Sequence, residues 1–163
     1  MRIMPHFHVR VASDDLVFSA AHFITLGPGQ CERLHGHNYR VAAEVHGPLN
    51  ESCCVVDFAA LREILRAILA ELDHRVLLPT GHPAIHVDDR REEIEVRFAE
   101  RRWVFPRGDC LLLPIANTTA ELLAGYIGRR LLDQLASQLG WRPDRLRIEV
   151  EECFGQSAAC ALP

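Results

Sequence analysis

The chain has 163 residues, of which 48% are hydrophobic and 25% charged, and its formal net charge is −4. This length and composition predict a single domain over 1–163, with a core large enough to fold without disulfides. The mild negative charge argues against nucleic acid or an anionic membrane as a partner, so a phosphate-bearing ligand would need a local group of arginines.

The first part of the chain alternates apolar and polar residues in two stretches, which predicts strands over 6–12 and 38–46. Glycines on either side of a proline predict a turn at 27–29. A run of apolar residues at helical spacing then predicts a helix over 57–72, for which Asp57 supplies the N-cap.

The stretch 80–114 follows this helix and carries two short apolar segments joined by a charged turn. It predicts an inserted hairpin. A second apolar stripe predicts a helix over 119–139, preceded by a capping box of Thr118 and Glu121. Clear alternation predicts a last strand over Arg145–Cys153.

The most informative motif is the run 31–37, Cys-Glu-Arg-Leu-His-Gly-His, which begins nine residues after His22. His35 and His37 are two residues apart, so both rings point to the same face of a strand. If the segment of His22 pairs with that strand, three imidazoles reach one ion. An open fourth position is typical of catalytic zinc sites. The alternative is two surface histidines and one core histidine.

Several other polar residues have both a functional and a structural interpretation. Cys31 is a candidate zinc ligand, structural thiol or catalytic thiolate. Asp73 and His74 form either an oriented Asp–His pair or a histidine favoured by the C-terminus of a helix. Glu152 either points inward to bind the donor edge of an aminopyrimidine-type ring or ends its strand in solvent.

No stretch of the chain approaches the roughly 20 apolar residues of a membrane span, and the start of the chain does not resemble a signal peptide. The six cysteines show no obvious pairing pattern. We therefore expect a cytoplasmic protein with reduced thiols and no membrane partner.

Six blocks of sequence, in order along the chain, resemble the 6-pyruvoyl-tetrahydropterin synthase family. That family includes the 6-carboxy-tetrahydropterin synthases of deazapurine biosynthesis. The blocks are Phe18-Ser19-Ala20-Ala21-His22, Cys31-x-x-x-His35-Gly36-His37-Asn38-Tyr39, Val56-Asp57-Phe58, Leu72-Asp73-His74, Asn117-Thr118-Thr119-x-Glu121, and Glu152.

The resemblance implies an α+β fold of the tunnelling type (T-fold), with a four-stranded antiparallel sheet and two helices on one face, to which this chain adds its inserted hairpin. Subunits of the family join their sheets into a barrel in a trimer, and two trimers usually stack into a hexamer. The active sites then lie between subunits of the homo-oligomer.

The resemblance also implies roles for individual residues. The substrate would be 7,8-dihydroneopterin triphosphate, whose side-chain hydroxyls a zinc ion binds. The default product would be 6-carboxy-5,6,7,8-tetrahydropterin, on the route to queuosine. Zinc would be held by His22, His35 and His37; Cys31 would be the base, with Asp73 and His74 as relay partners; and Glu152 would anchor the pterin, helped by Thr119 and Glu121.

Two departures from the family pattern leave the product open. Glu32 follows Cys31 directly, and in one branch a glutamate replaces the cysteine and the side chain is cleaved to 6-hydroxymethyl-7,8-dihydropterin, for a folate-like or methanopterin-like cofactor. Glu32 is alternatively a solvated loop residue. The insertion 80–114 covers the site, touches the triphosphate, or is decoration. The pattern is also compatible with a 6-pyruvoyl-tetrahydropterin synthase, or with a pterin- or metal-binding module without turnover.

Overall fold

A large sheet with two helices packed on it makes up most of the structure, a computed structural model that describes residues 5–163. The predicted absence of a signal peptide rests partly on residues 1–4, which lie outside the described residues. In chain order the elements are β1 (Phe7–Val11), β2 (Val17–His22), β3 (Thr25–Gly27), β4 (Gln30–Cys31), β5 (His35–Gly47), α1 (Phe58–Leu72), β6 (Arg75–Pro79), β7 (His86–Asp89), β8 (Glu93–Phe98), β9 (Arg101–Pro106), β10 (Cys110–Leu113), α2 (Ala120–Leu139), β11 (Arg145–Cys153) and β12 (Gln156–Leu162).

The large sheet has seven strands in the order β10-β6-β2-β5-β11-β12, and β1 also pairs with β5. The pairings of β6 with β10 and with β2 are parallel, and the others are antiparallel. The predicted four-stranded antiparallel sheet was therefore wrong in strand number and in these two pairings. Two of the strands missing from the prediction are β6 and β10. They are short apolar runs without alternation, as is usual for buried parallel strands.

Both helices cover one face of this sheet, where their apolar stripes form the main core with inward residues such as Phe18, Val41 and Ile148. The prediction for α1 is confirmed, because Asp57 accepts a hydrogen bond from the backbone of Ala59 at 2.8 Å. The capping box predicted at Thr118 was wrong.

In α2 the N-cap is Thr119, whose side chain accepts a hydrogen bond from the backbone N–H of Leu122. Thr118 is buried instead, and its hydroxyl donates to the carbonyl of Phe23 at 3.0 Å. Because this tertiary contact engages the hydroxyl of Thr118, Thr119 is the residue that caps the helix.

The inserted hairpin is present as β8 and β9, and β7 extends it to a three-stranded sheet. Its apolar face forms a second core cluster that includes Ile94, Val96 and Phe98 together with Phe23 from outside the insertion. Phe23 directly follows His22 in the chain, so the insertion packs against the segment that carries the first histidine of the motif.

The structure adds two facts about the cysteines and about membranes. All six cysteines are unpaired thiols, three of them exposed. Within residues 5–163 no helix is long and apolar enough to cross a membrane. The cytoplasmic location stays a prediction.

Candidate active site

Three histidines meet where β2 ends and β5 begins. The two strands pair antiparallel, with His22 opposite His35 and Ala20 opposite His37. One nitrogen from each of the three rings lies within 4.8 Å of the other two. The predicted pairing of the two segments and the shared direction of His35 and His37 are confirmed.

Backbone carbonyls hold two of these rings in the tautomer that a metal ligand needs. Nδ1 of His22 donates to the carbonyl of Thr118 at 2.9 Å, and Nδ1 of His35 donates to the carbonyl of Arg33 at 2.7 Å. In a neutral ring each Nε2 then carries a free lone pair. Burial lowers the pKa of His22, which is fully buried, and so favours its neutral, ligating form.

Glu152 and Tyr39 complete the inner side of the cluster. One oxygen of Glu152, Oε1, lies 3.4 Å from Nε2 of His22 and 3.7 Å from Nε2 of His37. The three ring nitrogens converge on one point, and those of His22 and His35 are free acceptors there, which is the donor chemistry of a bound cation; the carboxylate of Glu152 lies beside them. Of the two interpretations of Glu152 that the sequence left open, the structure shows the inward one, and the residues fit a metal ion.

Tyr39 lies in one of the family motifs, but sequence reasoning gave it no role. Its hydroxyl lies 3.2 Å from Nε2 of His22 and donates to Oε1 of Glu152 at 3.5 Å. Burial, reinforced by the negative charge of Glu152, raises the pKa of Tyr39, so the hydroxyl keeps its proton. The sequence could have indicated this position of Tyr39, because Tyr39 is two residues after His37 and so lies on the same face of β5.

Cys31 and Glu32 are neighbours in sequence but face different surroundings. Oε2 of Glu32 lies 3.7 Å from Nε2 of His35. Cys31 is half-buried and packs against the apolar cluster of the insertion. Within the described residues the candidate metal-binding cluster contains the three histidines and does not include Cys31. The structure thus places the glutamate, rather than the cysteine, beside the cluster of its own chain.

The Asp73–His74 pair lies at the end of α1. Oδ1 of Asp73 accepts from the backbone N–H of Ser19 at 2.7 Å, and Oδ2 lies 2.8 Å from Nδ1 of His74. The Ser19 N–H, followed by His74, lowers the pKa of Asp73. His74 has a left-handed backbone (φ +58°), and its side chain is 83% exposed. Neither side chain is within hydrogen-bonding distance of the three histidines.

Thr119 and Glu121 lie in the first turn of α2, where Thr119 caps the helix and Glu121 is exposed. The contact with the cluster comes instead from the carbonyl of Thr118. Asn117 holds that position, since its side chain accepts from the N–H of Thr118 at 3.0 Å and donates to the carbonyl of Thr25 at 3.1 Å. Asn117 and Thr25 are 92 residues apart in sequence, and no local signal indicates their contact.

Comparison with known proteins gives a consistent result. The sequence profile described as 6-pyruvoyl tetrahydropterin synthase matches residues 13–161. A protein of Methanocaldococcus jannaschii, provisionally named 6-carboxy-5,6,7,8-tetrahydropterin synthase, is 32% identical over 148 residues, which is 88% of each chain. The 6-carboxy-5,6,7,8-tetrahydropterin synthase of Haemophilus influenzae is 27% identical over 73% of this chain and 79% of its own.

Solved structures of high similarity come from malaria parasites. The 6-pyruvoyltetrahydropterin synthase of Plasmodium vivax superposes with a TM-score of 0.89 at 26% identity, covering 98% of this chain and 99% of its own. The same similarity is found for a variant of that protein in which a glutamate, described as a catalytic residue, is replaced by alanine. The Plasmodium falciparum protein has a TM-score of 0.89 at 29% identity, covering 96% of this chain and 98% of its own.

Proposed function

Because the chain belongs to the 6-pyruvoyl tetrahydropterin synthase family and is one of its lyases, we propose that it is a zinc-dependent lyase acting on 7,8-dihydroneopterin triphosphate. The proposed product is 6-carboxy-5,6,7,8-tetrahydropterin, on the route to queuosine, because relatives over most of the chain carry that name. The observation that carries the proposal is the cluster of three histidines, two of which have a free Nε2 atom because a backbone carbonyl binds their Nδ1–H.

His22, His35 and His37 are the proposed zinc ligands. A site made of three neutral imidazoles, with no thiolate or fourth protein nitrogen, is typical of zinc that keeps one coordination position open. The ion, when bound, acts as a Lewis acid toward the hydroxyl oxygens of the substrate side chain. The carbonyls of Thr118 and Arg33 keep two of the ligands in the right tautomer, so the protein side of this site is arranged before the ion arrives.

Glu152 is the proposed anchor of the pterin ring. Its carboxylate is about one-fifth exposed, and it can accept hydrogen bonds from the amino and ring N–H groups of the ligand. The hydroxyl of Tyr39 donates to it and fixes its direction. Thr119 and Glu121 belong to the helix turn that begins directly after Thr118, and we propose that they assist binding from there.

Cys31 is the proposed base, and Asp73 with His74 the proposed relay. Asp73 orients the ring of His74 through Nδ1, which leaves Nε2 directed outward from a strongly exposed side chain. A pair presented at the surface, without a hydrogen bond to the cluster of its own chain, suits an active site completed by a neighbouring copy. We therefore propose a homo-oligomer, a trimer or a hexamer, whose sites lie between subunits.

One observation favours a second candidate function, cleavage of the side chain to 6-hydroxymethyl-7,8-dihydropterin. Glu32 approaches His35 at 3.7 Å, whereas Cys31 packs against the insertion. The similar Plasmodium vivax protein also has a glutamate that is described as a catalytic residue. In this second function, Glu32 takes the proton from the substrate side chain.

The test is an anaerobic incubation of zinc-loaded protein with 7,8-dihydroneopterin triphosphate, with products identified by mass spectrometry. Cys31→Ala and Glu32→Ala are compared with two matched controls at exposed positions, Cys153→Ala and Glu63→Ala. A 6-carboxy product lost only in Cys31→Ala supports the first function. A 6-hydroxymethyl product lost only in Glu32→Ala supports the second. Absence of any turnover by the parent protein would refute both.

A further inference from the structure

A groove of about 370 Å³ lies between the inserted hairpin and the loop that leads into β5. Its walls are residues 33–34 on the loop side and 101–103, at the start of β9, on the hairpin side. Residues 33–34 directly precede His35. The groove is linked to the candidate metal centre by Arg33, whose carbonyl accepts a hydrogen bond from Nδ1 of His35 at 2.7 Å. Its volume lies within the roughly 300–1,000 Å³ range of small-ligand sites.

The lining of this groove is strongly cationic. Three of its five residues are arginines and none is acidic. Within residues 5–163 neither Arg33 nor Arg101 takes part in an ion pair; Arg101 donates to the backbone carbonyl of Glu32 at 2.8 Å. Arg102 bonds to the carboxylate of Glu95 at 2.7 Å. Each guanidinium has five N–H donors, so all three keep donors for an anion.

The hairpin that supplies two of these arginines is held firmly against the site. Trp103 stacks on Phe23, with ring centroids 4.5 Å and planes 12° apart. The bond from Arg101 to the carbonyl of Glu32 ties the hairpin to the motif loop as well. These contacts fix the position of the hairpin side chains relative to the motif loop.

We propose that this groove binds the triphosphate group of the substrate, with Arg33 and Arg101 as its principal contacts. The inference rests on the proposed function. In 7,8-dihydroneopterin triphosphate the phosphate chain is joined to the end of the same side chain whose hydroxyls the metal would bind, so it extends outward from the cluster. Guanidinium groups bind phosphate oxygens through two parallel hydrogen bonds, and the groove offers several of them beside His35.

The first test measures binding of inorganic triphosphate to the full-length protein by calorimetry, without turnover. Arg33→Gln and Arg101→Gln should each weaken binding about 10- to 100-fold, as expected for loss of a charge-assisted hydrogen bond. Arg91→Gln removes the same charge from an exposed position of the insertion outside the groove, so it should bind like the parent. Equal affinity in the parent and in both groove variants would overturn the proposal.

The second test separates binding from a structural role of Arg101 in holding the loop. We compare the affinity for 7,8-dihydroneopterin triphosphate with that for unphosphorylated 7,8-dihydroneopterin. A loss confined to the phosphorylated compound supports the groove, and an equal loss for both compounds overturns it. If the parent protein binds triphosphate through these arginines but forms no product, the proposed function is refuted and the proposed binding groove is supported. If the parent forms product and the arginine variants keep its KM, only the proposed binding groove is refuted.

Discussion

Removal of one imidazole from the histidine cluster tests the metal centre through the stability of the fold. The three histidines belong to β2 and β5, which meet only in the folded sheet, so the unfolded chain offers no comparable site. A ligand that binds only the folded state raises the free energy of unfolding by RT ln(1 + [L]/Kd). Above Kd, each tenfold rise in free zinc therefore adds about 1.4 kcal/mol.

The corresponding change in melting temperature follows from the size of the chain. For a domain of 163 residues, 1 kcal/mol moves Tm by about 2–4 °C, so each tenfold rise in free zinc should raise Tm by about 3–6 °C. At a hundred times Kd the stabilisation is about 2.7 kcal/mol, or about 5–11 °C. His35→Ala should lose most of this dependence.

The assay is calorimetric melting in zinc buffers at a fixed protein concentration, since assembly would make Tm depend on concentration. His86→Ala is the matched control, because it removes an exposed imidazole from the insertion and should keep the parent response. A parent Tm that stays constant over three decades of free zinc, or the same rise in His35→Ala as in the parent, would refute the assignment of the cluster.

Three further substitutions probe the surroundings of the site. Tyr39→Phe removes a hydroxyl 3.2 Å from a cluster nitrogen; it should weaken zinc binding about tenfold in competition with a chromophoric chelator, and unchanged affinity would contradict its supporting role. Asn117→Ala deletes the side chain that joins Thr25 to the start of α2; it should lower the free energy of unfolding in urea by about 1–3 kcal/mol, and a negligible change would show that these bonds are not required. Asp73→Asn tests a pH dependence, because hydrogen bonding from Ser19 lowers the pKa of Asp73 below its unfolded value of about 3.9. Its contribution is present above that value and is lost as pH falls through the folded pKa, so the stability gap to the parent should be steady from pH 7 to 5 and narrow below about 4; a constant gap at pH 3 would contradict this.

Elements with strong periodicity or a local cap were predictable from the sequence, and α1 and β11 were predicted almost to the residue. The strands β6 and β10 could not be predicted in the same way. Their apolar runs lack alternation, and their parallel partners lie far away in the chain. The strand β12 is rich in alanine, which has a low strand propensity, and it forms because it pairs along β11.

In the candidate site, too, some features were predictable from the sequence and others were not. The common direction of His35 and His37 follows from the two-residue period of a strand, which gave the inward direction of Glu152 only as one of two alternatives. The carbonyl that orients His22 comes from Thr118, 96 residues away, and only the folded sheet brings the two together. The wrong cap has the same cause: the spacing to Glu121 favours Thr118 in the local pattern, but a contact with Phe23 engages the Thr118 hydroxyl and Thr119 caps the helix.

The two proposed reactions use different residues, Cys31 and Glu32, whose placement depends on the same kind of long-range contact. Neighbouring residues of an extended segment point in opposite directions, so Cys31 and Glu32 do not face the same site together. In this structure the apolar cluster of the insertion receives the thiol, and the carboxylate turns toward His35. The presence of both residues in the motif therefore does not by itself indicate which reaction is catalysed. The packing of the insertion determines which of the two side chains the motif loop presents to the histidines in this structure, and the products of Cys31→Ala and Glu32→Ala test whether that orientation selects the reaction.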